Sequence, residues 1–90
     1  MKIINIGAIW CPGCLVMKKV WKKITDDYKE INIEQMDYDM DEEEVKKYNP
    51  GKILPVIIFL TNDGKEIERL VGEQNEDTIR RKINEYVQKY

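Results

Sequence analysis

The segment Trp10–Cys14, WCPGC, contains both cysteines of this 90-residue chain. Two cysteines placed at random in a chain of this length would lie three residues apart in only about 2% of arrangements, so the spacing is itself a signal. Two thiols this close along a chain can be oxidised to a disulfide and reduced again, or they can supply part of the ligand set of a metal ion. The spacing therefore predicts thiol chemistry, of either the redox or the metal-binding kind.

The residues on either side of the cysteines predict a strand that runs into a helix. Lys2–Ala8 is rich in β-branched and apolar residues, which is typical of a buried strand. Pro12 favours the first turn of a helix, where its missing N–H costs nothing. Apolar residues then recur three and four positions apart, as on one face of a helix: Cys14, Met17, Trp21, Ile24 and Tyr28.

This strand–helix junction predicts different environments for the two cysteines. Cys11 lies at the N-terminus of the helix, where free N–H groups stabilise a thiolate and lower a cysteine pKa from about 8.5 into the range of about 3.5–7.5. Cys14 lies one turn further in, on the apolar face, and we expect it to be buried and less acidic. The asymmetry suits a two-step exchange in which Cys11 attacks a disulfide and Cys14 resolves the mixed disulfide.

Two further elements follow the first helix. Ile31–Asp39 alternates roughly with a period of two and is interpreted as a second strand. Asp41 and Glu44 have the spacing of a capping box, which predicts a short helix through Tyr48. The acidic run Asp39–Glu44 is interpreted as the solvated start of that helix, where negative charge suits the helix dipole.

The last third of the chain predicts a hairpin and a helix. Pro55–Leu60 is a continuous apolar run suited to a central strand. Asn62–Gly64 is a turn sequence leading into an antiparallel partner, Lys65–Val71, and Asn75 can cap a final amphipathic helix. The predicted order is β-α-β-α-β-β-α, an α/β fold in which residues 1–90 form one domain.

A strand, then WCPGC, then a helix resembles the thioredoxin superfamily, and the remaining elements follow in the order of that fold. The resemblance implies a thioredoxin-like fold with a central mixed four-stranded sheet flanked by helices. The chain starts at the strand that feeds the motif, as the shorter glutaredoxins do. The resemblance also implies that Cys11 is the catalytic nucleophile, that Cys14 is the resolving thiol, and that the redox-active Cys11–Cys14 disulfide replaces any bound cofactor.

The resemblance further implies a substrate-binding surface around the motif. In the superfamily a cis-proline faces the cysteines, and the backbone of the residue before it pairs with the substrate, as in β-augmentation. Pro55 and Leu54 match those two positions. The substrate-binding residues assigned in this way are Trp10, Pro12, Gly13, Leu54, Pro55 and Gly72.

Some positions depart from the superfamily pattern. Thioredoxins mostly carry Gly-Pro between their cysteines, and glutaredoxins place an aromatic residue where this chain has Gly13. Thioredoxins also carry a buried aspartate six residues before the first cysteine, with a lysine beside it on the next strand. Asn5 and Gln35 stand at those positions here. We expect Asn5 to bond its neighbours as a buried amide without acting as a base.

The function that this pattern favours is reduction of protein disulfides through the Cys11/Cys14 pair. The expected electron donor is a flavoprotein thioredoxin reductase or glutathione. One alternative is a glutaredoxin-like, glutathione-dependent electron carrier. Another, from a different class, is a metal- or iron–sulfur-binding module, although a zinc site needs four ligands and the chain contains no histidine.

Composition narrows the choice of partners and compartment. A net charge of −2 gives no electrostatic basis for binding nucleic acid or an anionic membrane surface. The longest apolar runs are far shorter than a bilayer span. The N-terminal MKIINIGAIW lacks a small-residue cleavage site and is interpreted as a strand, not a signal peptide. We therefore expect the protein to be a monomer in the cytoplasm, a compartment in which paired thiols are more often catalytic than structural.

Overall fold

The computed structural model describes residues 1–90 and contains four strands and four helices. They follow the chain as β1 (Lys2–Gly7), α1 (Pro12–Val16), α2 (Lys18–Asp27), β2 (Asn32–Asp37), α3 (Glu42–Lys46), β3 (Val56–Leu60), β4 (Glu66–Val71) and α4 (Glu76–Lys89). This is the predicted order, except that the first predicted helix is divided into α1 and α2.

One mixed sheet joins the strands in the order β2-β1-β3-β4. The central strand β1 pairs in parallel with β2 and antiparallel with β3, and β3 pairs antiparallel with β4. The predicted four-stranded mixed sheet is therefore confirmed. It also makes β1, which leads directly to the two cysteines, an inner strand of the sheet.

Alternation along the central strands gives the sheet two apolar faces. Ile3 and Phe59 face α2 and α4 and belong to a core cluster with Trp21, Ile24 and Ile83. The next residues along the two strands, Ile4 and Ile58, instead face α3, where they pack in a second cluster around Val45. Helices thus cover both faces of the sheet, as the resemblance implied.

The prediction of a single helix after Pro12 is wrong in one detail, because the helix is interrupted at Met17. Met17 ends α1 with φ −79° and ψ −5°, and its N–H bonds to the Gly13 carbonyl. Hydrogen bonding resumes at once, because the Trp21 N–H donates to the Met17 carbonyl at 2.9 Å. The apolar spacing continues unchanged across this turn, so periodicity alone does not reveal the break.

The predicted capping box of α3 is also wrong. Asp41 is the N-cap residue, but its side chain caps no helical N–H. Its Oδ2 accepts instead from the Asp37 N–H at 2.9 Å, because the loop between β2 and α3 folds back on itself. By contrast, Asn75 caps α4 as predicted, with its Oδ1 accepting from the Thr78 N–H at 2.8 Å.

The longest helix, α4, buries Ile79, Ile83 and Tyr86 on one face. None of the helices combines the length and the apolar composition that crossing a membrane requires.

Candidate functional site

Cys11 and Cys14 form a disulfide where β1 gives way to α1, with their Cα atoms 5.3 Å apart. The turn between strand and helix is closed by a hydrogen bond from the Cys11 N–H to the Ala8 carbonyl, 3.2 Å long. Both sulfurs therefore lie at the end of the central strand, on the first turn of a helix.

Cys11 is the N-cap of α1, followed by Pro12 in the first turn. Its Sγ accepts a hydrogen bond from the Cys14 N–H at 3.2 Å. The first N–H groups of a helix have no intrahelical partner, so this N–H remains available to a thiolate after reduction. The geometry favours the anionic form of Cys11, as expected at a helix N-terminus.

The relative burial of the two cysteines is the reverse of the sequence-based expectation. Cys11 is buried, with 5% of its surface exposed, whereas Cys14 is only half-buried. The prediction of a buried Cys14 was wrong because its side chain lies over Gly7, beside an open groove. A Cβ added at Gly7 would come within 3.1 Å of the Cys14 Sγ. The buried apolar face begins only at Met17, which is 1% exposed.

Pro55 lies beside the motif, immediately before β3. The Leu54–Pro55 peptide bond is cis, as the resemblance led us to expect. Pro55 Cδ lies 3.6 Å from the place where a Cβ on Gly13 would be. The Pro55 carbonyl accepts from the Gly72 N–H at 2.8 Å. Three of the predicted substrate-binding residues are therefore in one place, and Leu54 is half-buried next to them.

Gly72 directly follows β4 with φ +89°, a conformation that glycine adopts without strain. A Cβ added at Gly72 would meet nothing within 4 Å, so the space above this residue is open. Pro12 is exposed on the first turn of α1. The structure by itself assigns no function to Gly72 or Pro12, and substrate contact at both positions stays a prediction.

Trp10 stands on the surface next to Cys11, with 57% of it exposed. Its Nε1 donates to Asp39 Oδ2 at 2.7 Å, and its ring meets the edge of the Tyr38 ring with centroids 6.1 Å apart. Asp39 is a positioning residue that the sequence analysis missed. It lies in the acidic run interpreted only as a helix start, and no sequence pattern connects it to Trp10.

Asn5 lies beneath the motif on β1, directly opposite Gln35 on β2. It is the one buried polar or charged residue of the chain, with 7% exposed. Its Nδ2 donates to Gln35 Oε1 at 2.6 Å. The expectation of a buried amide that bonds its neighbour is therefore confirmed. Its Oδ1 has no partner.

Metal-binding residues do not assemble anywhere in the chain. No group of three or more cysteine, aspartate or glutamate side chains is placed to hold one ion. A metal bound to Cys11 and Cys14 would need its remaining ligands from outside this cluster-free chain.

Comparison with known proteins identifies the family. The family model described as Thioredoxin matches residues 1–85. The chain belongs to the thioredoxin family. It is 27% identical over 84 residues to the thioredoxin of Chlamydia trachomatis, covering 93% of this chain and 80% of that protein. It is 23% identical over 86 residues to the thioredoxin of Mycobacterium tuberculosis, covering 94% of this chain and 72% of that protein.

Solved thioredoxin structures share the fold. Fasciola hepatica thioredoxin superposes with a TM-score of 0.83 at 27% identity, covering 93% of this chain and 78% of that one. A thioredoxin variant from Halobacterium salinarum gives the same TM-score at 22% identity, covering 94% and 73% of the two chains. The thioredoxin-like fold is thereby confirmed. With its Cys-x-x-Cys pair in place, this thioredoxin-family chain is a thiol–disulfide oxidoreductase.

Proposed function

We propose that the protein reduces disulfide bonds in other proteins, with Cys11 as the attacking sulfur and Cys14 as the resolving one. The observation that carries the proposal is the Cys14 N–H that donates to Cys11 Sγ at 3.2 Å. This bond favours negative charge on Cys11, and the thiolate is the nucleophilic form of cysteine. No bound cofactor is needed, because the Cys11–Cys14 pair itself carries the two electrons.

The cycle has two exchanges. The Cys11 thiolate attacks one sulfur of the substrate disulfide, a mixed disulfide forms, and the other substrate sulfur leaves as a thiolate. Cys14 then loses its proton and attacks Cys11 Sγ, which releases the second substrate thiolate and forms the Cys11–Cys14 disulfide. The substrate gains two electrons and the protein loses two.

The surface around the motif supports a protein substrate. Neither the N–H nor the carbonyl of Leu54 is bonded to another backbone group, so both are available to an extended substrate segment. The short segments that carry the cysteines and Leu54 also hold exposed apolar side chains, namely Ile9, Trp10 and Ile53 at 78%, 57% and 64% exposure. Exposed apolar groups next to a reactive centre are typical of a protein-binding surface.

The remaining parts of the proposal concern partners and compartment. Two electrons must be returned to the Cys11–Cys14 disulfide in each cycle, either by a flavoprotein thioredoxin reductase or by glutathione. The protein acts as a monomer in the cytoplasm. Comparing the rates at which the two donors reduce the disulfide identifies the donor, and rapid use of a glutathionylated substrate would favour the glutaredoxin-like alternative.

Single cysteine variants test the proposal with insulin as the disulfide substrate. We expect Cys11→Ser to abolish reduction, and Cys14→Ser to accumulate a mixed disulfide with the substrate that mass spectrometry locates at Cys11. Lys29→Arg, at an exposed position after α2, serves as the control and should behave as the parent protein. Retention of insulin reduction by Cys11→Ser, or a trapped substrate in that variant at Cys14, would contradict the assignment.

A further inference from the structure

A groove of about 540 Å³ opens beside the disulfide, and Pro55 is not among the residues that line it. Cys14 lines it and Cys11 does not. One wall is the side of α2 that carries Lys18, Trp21 and Lys22, and the other comes from β1 and β2. The groove therefore offers an approach to Cys14 along a wall to which neither Cys11 nor Pro55 belongs.

The chemistry of exchange makes attack at Cys14 productive. A thiolate that attacks a disulfide sulfur expels the other sulfur, and the sulfur of lower pKa leaves faster. Attack at Cys14 expels Cys11 as a thiolate, which the Cys14 N–H already bonds at 3.2 Å. Attack at Cys11 would expel Cys14, whose sulfur receives no hydrogen bond. The leaving-group preference, the greater exposure of Cys14 as a residue and its place in the lining of the groove all favour attack at Cys14.

The walls of the groove carry charges of both signs that no other side chain neutralises. Asp37 and Asp41 also line the groove, and their carboxylates accept hydrogen bonds from backbone N–H groups. Lys18 and Lys22 project from α2, and Asp26 projects from the end of the same helix. None of the three is in a salt bridge. All are exposed. A small molecule with both carboxylate and ammonium groups has complementary partners here.

Two buried polar atoms at the back of the groove also lack partners. Asn5 Oδ1 can accept and Trp21 Nε1 can donate, and neither has a hydrogen bond. Both residues line the groove and are at least nine-tenths buried. Leaving such groups unpaired in the interior destabilises the fold. An amide group of a ligand both donates and accepts hydrogen bonds. It can therefore pair with both atoms when the groove opens locally to admit it.

We propose that this groove binds a low-molecular-weight thiol bearing amide and charged groups, and that this thiol reduces the protein by attacking Cys14. The inference rests on the proposed dithiol cycle. It specifies how electrons return to the Cys11–Cys14 disulfide. Protein substrates meet Cys11 from the Pro55 side, while the small reductant meets Cys14 from the groove.

The regeneration balances in two steps. The incoming thiolate bonds to Cys14 Sγ, the Cys11–Cys14 bond breaks, and Cys11 leaves as a thiolate. A second molecule of the thiol, as its thiolate, then attacks the bound reductant's sulfur, which forms the small disulfide and releases Cys14 as a thiolate that takes a proton from solvent. Two small thiols are oxidised and one protein disulfide is reduced.

The test uses the oxidised full chain without any protein substrate, so its outcome is independent of whether insulin is reduced. Glutathione is the charged, amide-bearing probe, and 2-mercaptoethanol is the neutral probe that lacks both features. Lys18→Trp blocks the groove one helical turn beyond Cys14. Lys19→Trp is the matched control, since Lys19 is an exposed neighbour that does not line the groove. Circular dichroism verifies that both variants fold.

Reduction rates are compared per unit of thiolate for each probe. We expect Lys18→Trp to slow reduction by glutathione by about fivefold or more, Lys19→Trp to change it by less than about twofold, and 2-mercaptoethanol to be affected less than glutathione. Equal effects of the two variants on glutathione would overturn the proposal.

Acid quenching during the reaction, followed by alkylation and tandem mass spectrometry, locates the adduct. Glutathione on Cys14 with the alkyl group on Cys11 supports the proposal, and the opposite placement refutes it. If the mixed disulfide is too short-lived to collect, the rate comparison between the two tryptophan variants decides alone.

Discussion

Asn5 donates a 2.6 Å hydrogen bond to Gln35 across the parallel pair of β1 and β2, where the two residues are direct register partners. Both side chains are neutral amides. This pair therefore places no charge in the sheet beneath the cysteines, and neither amide can take the proton of Cys14.

Asn5→Asp should change both the kinetics and the stability of the protein. A carboxylate beneath Cys14 can act as a general base, so we expect resolution of a preformed Cys11 mixed disulfide to accelerate about tenfold above neutral pH. Burial of that charge should lower the free energy of unfolding by about 2–4 kcal/mol. Stopped-flow resolution across pH and urea denaturation measure the two effects.

The double variant Asn5→Asp/Gln35→Lys is the control for this pair. It should recover part of the lost stability, because the lysine provides the buried carboxylate with an opposite charge. If Asn5→Asp resolves the mixed disulfide no faster at any pH, removal of the Cys14 proton does not limit the reaction.

Gly7→Ala and Gly13→Ala should have opposite effects on stability. An alanine Cβ at position 7 would meet Cys14 Sγ at 3.1 Å and Cys14 Cβ at 3.3 Å, so the resolving cysteine must move. We expect this variant to lose about 1–3 kcal/mol through overpacking and to resolve mixed disulfides more slowly.

At Gly13, the closest atom to an added Cβ is the Glu73 Oε1 at 3.3 Å, the far end of a flexible side chain. Because Gly13 lies within α1, replacement by alanine should stabilise the protein by about 0.5–1 kcal/mol. Thermal unfolding of both variants in the oxidised state checks the contrast. A stabilised Gly7→Ala protein would show that Cys14 is not packed tightly on β1.

Trp10→Ala should impair protein substrates selectively. Trp10 is exposed and is held by Asp39 and Tyr38, so its loss removes contact area without opening the core. We expect kcat/KM for insulin to fall about fivefold or more, with less than about a twofold change for a small aromatic disulfide. Asp39→Asn should give a smaller loss, because the amide oxygen still accepts from the indole. Equal losses on both substrates would place Trp10 in the chemistry of Cys11 and not in substrate binding.

Glu68 should contribute stability that is lost in acid. The Tyr86 hydroxyl donates to its carboxylate and Lys82 lies 3.0 Å away, and these contacts lower the pKa of Glu68. A group whose pKa is lower in the folded than in the unfolded state stabilises the fold above its unfolded pKa, about 4.3 for glutamate. That contribution disappears as the pH falls through the folded pKa.

We therefore expect Glu68→Gln to lower the free energy of unfolding by about 1 kcal/mol at neutral pH and by less at low pH. Urea denaturation at several pH values measures this difference. Glu43→Gln, at an exposed position of α3 outside every salt bridge, is the matched control. A loss from Glu68→Gln that is the same at every pH would show that the Glu68 charge contributes nothing.

Sequence patterns predicted the elements well where local chemistry determines them. The apolar run before β4 and the turn at Asn62–Gly64 indicated a hairpin, and Asn75 indicated the start of α4. The prediction that the Asp41 side chain caps α3 was wrong, because its carboxylate accepts from the Asp37 N–H and not from a helical N–H. Local patterns do not encode such competition.

For the functional site, too, the sequence predicted only the features that local patterns determine. The spacing of Cys11 and Cys14 and the position of Pro55 could be read from the chain. The exposure of Cys14 could not, since helical periodicity indicates a shared face but not what lies opposite each residue on it. Met17 and Trp21 on that face meet the core, whereas Cys14 meets Gly7 and the groove. The contact between Trp10 and Asp39 joins residues 29 positions apart, which no local pattern can indicate.

The position of β1 at the centre of the sheet has a consequence for synthesis on the ribosome. β1 precedes both of its neighbours, β2 and β3, along the chain, and β3 ends at Leu60. A nascent chain that has not emerged beyond that residue leaves one side of β1 unpaired and its isoleucines uncovered. Both cysteines emerge long before the structure that holds them together, so throughout this interval they are ordinary thiols of a flexible chain, open to oxidation with the wrong partner.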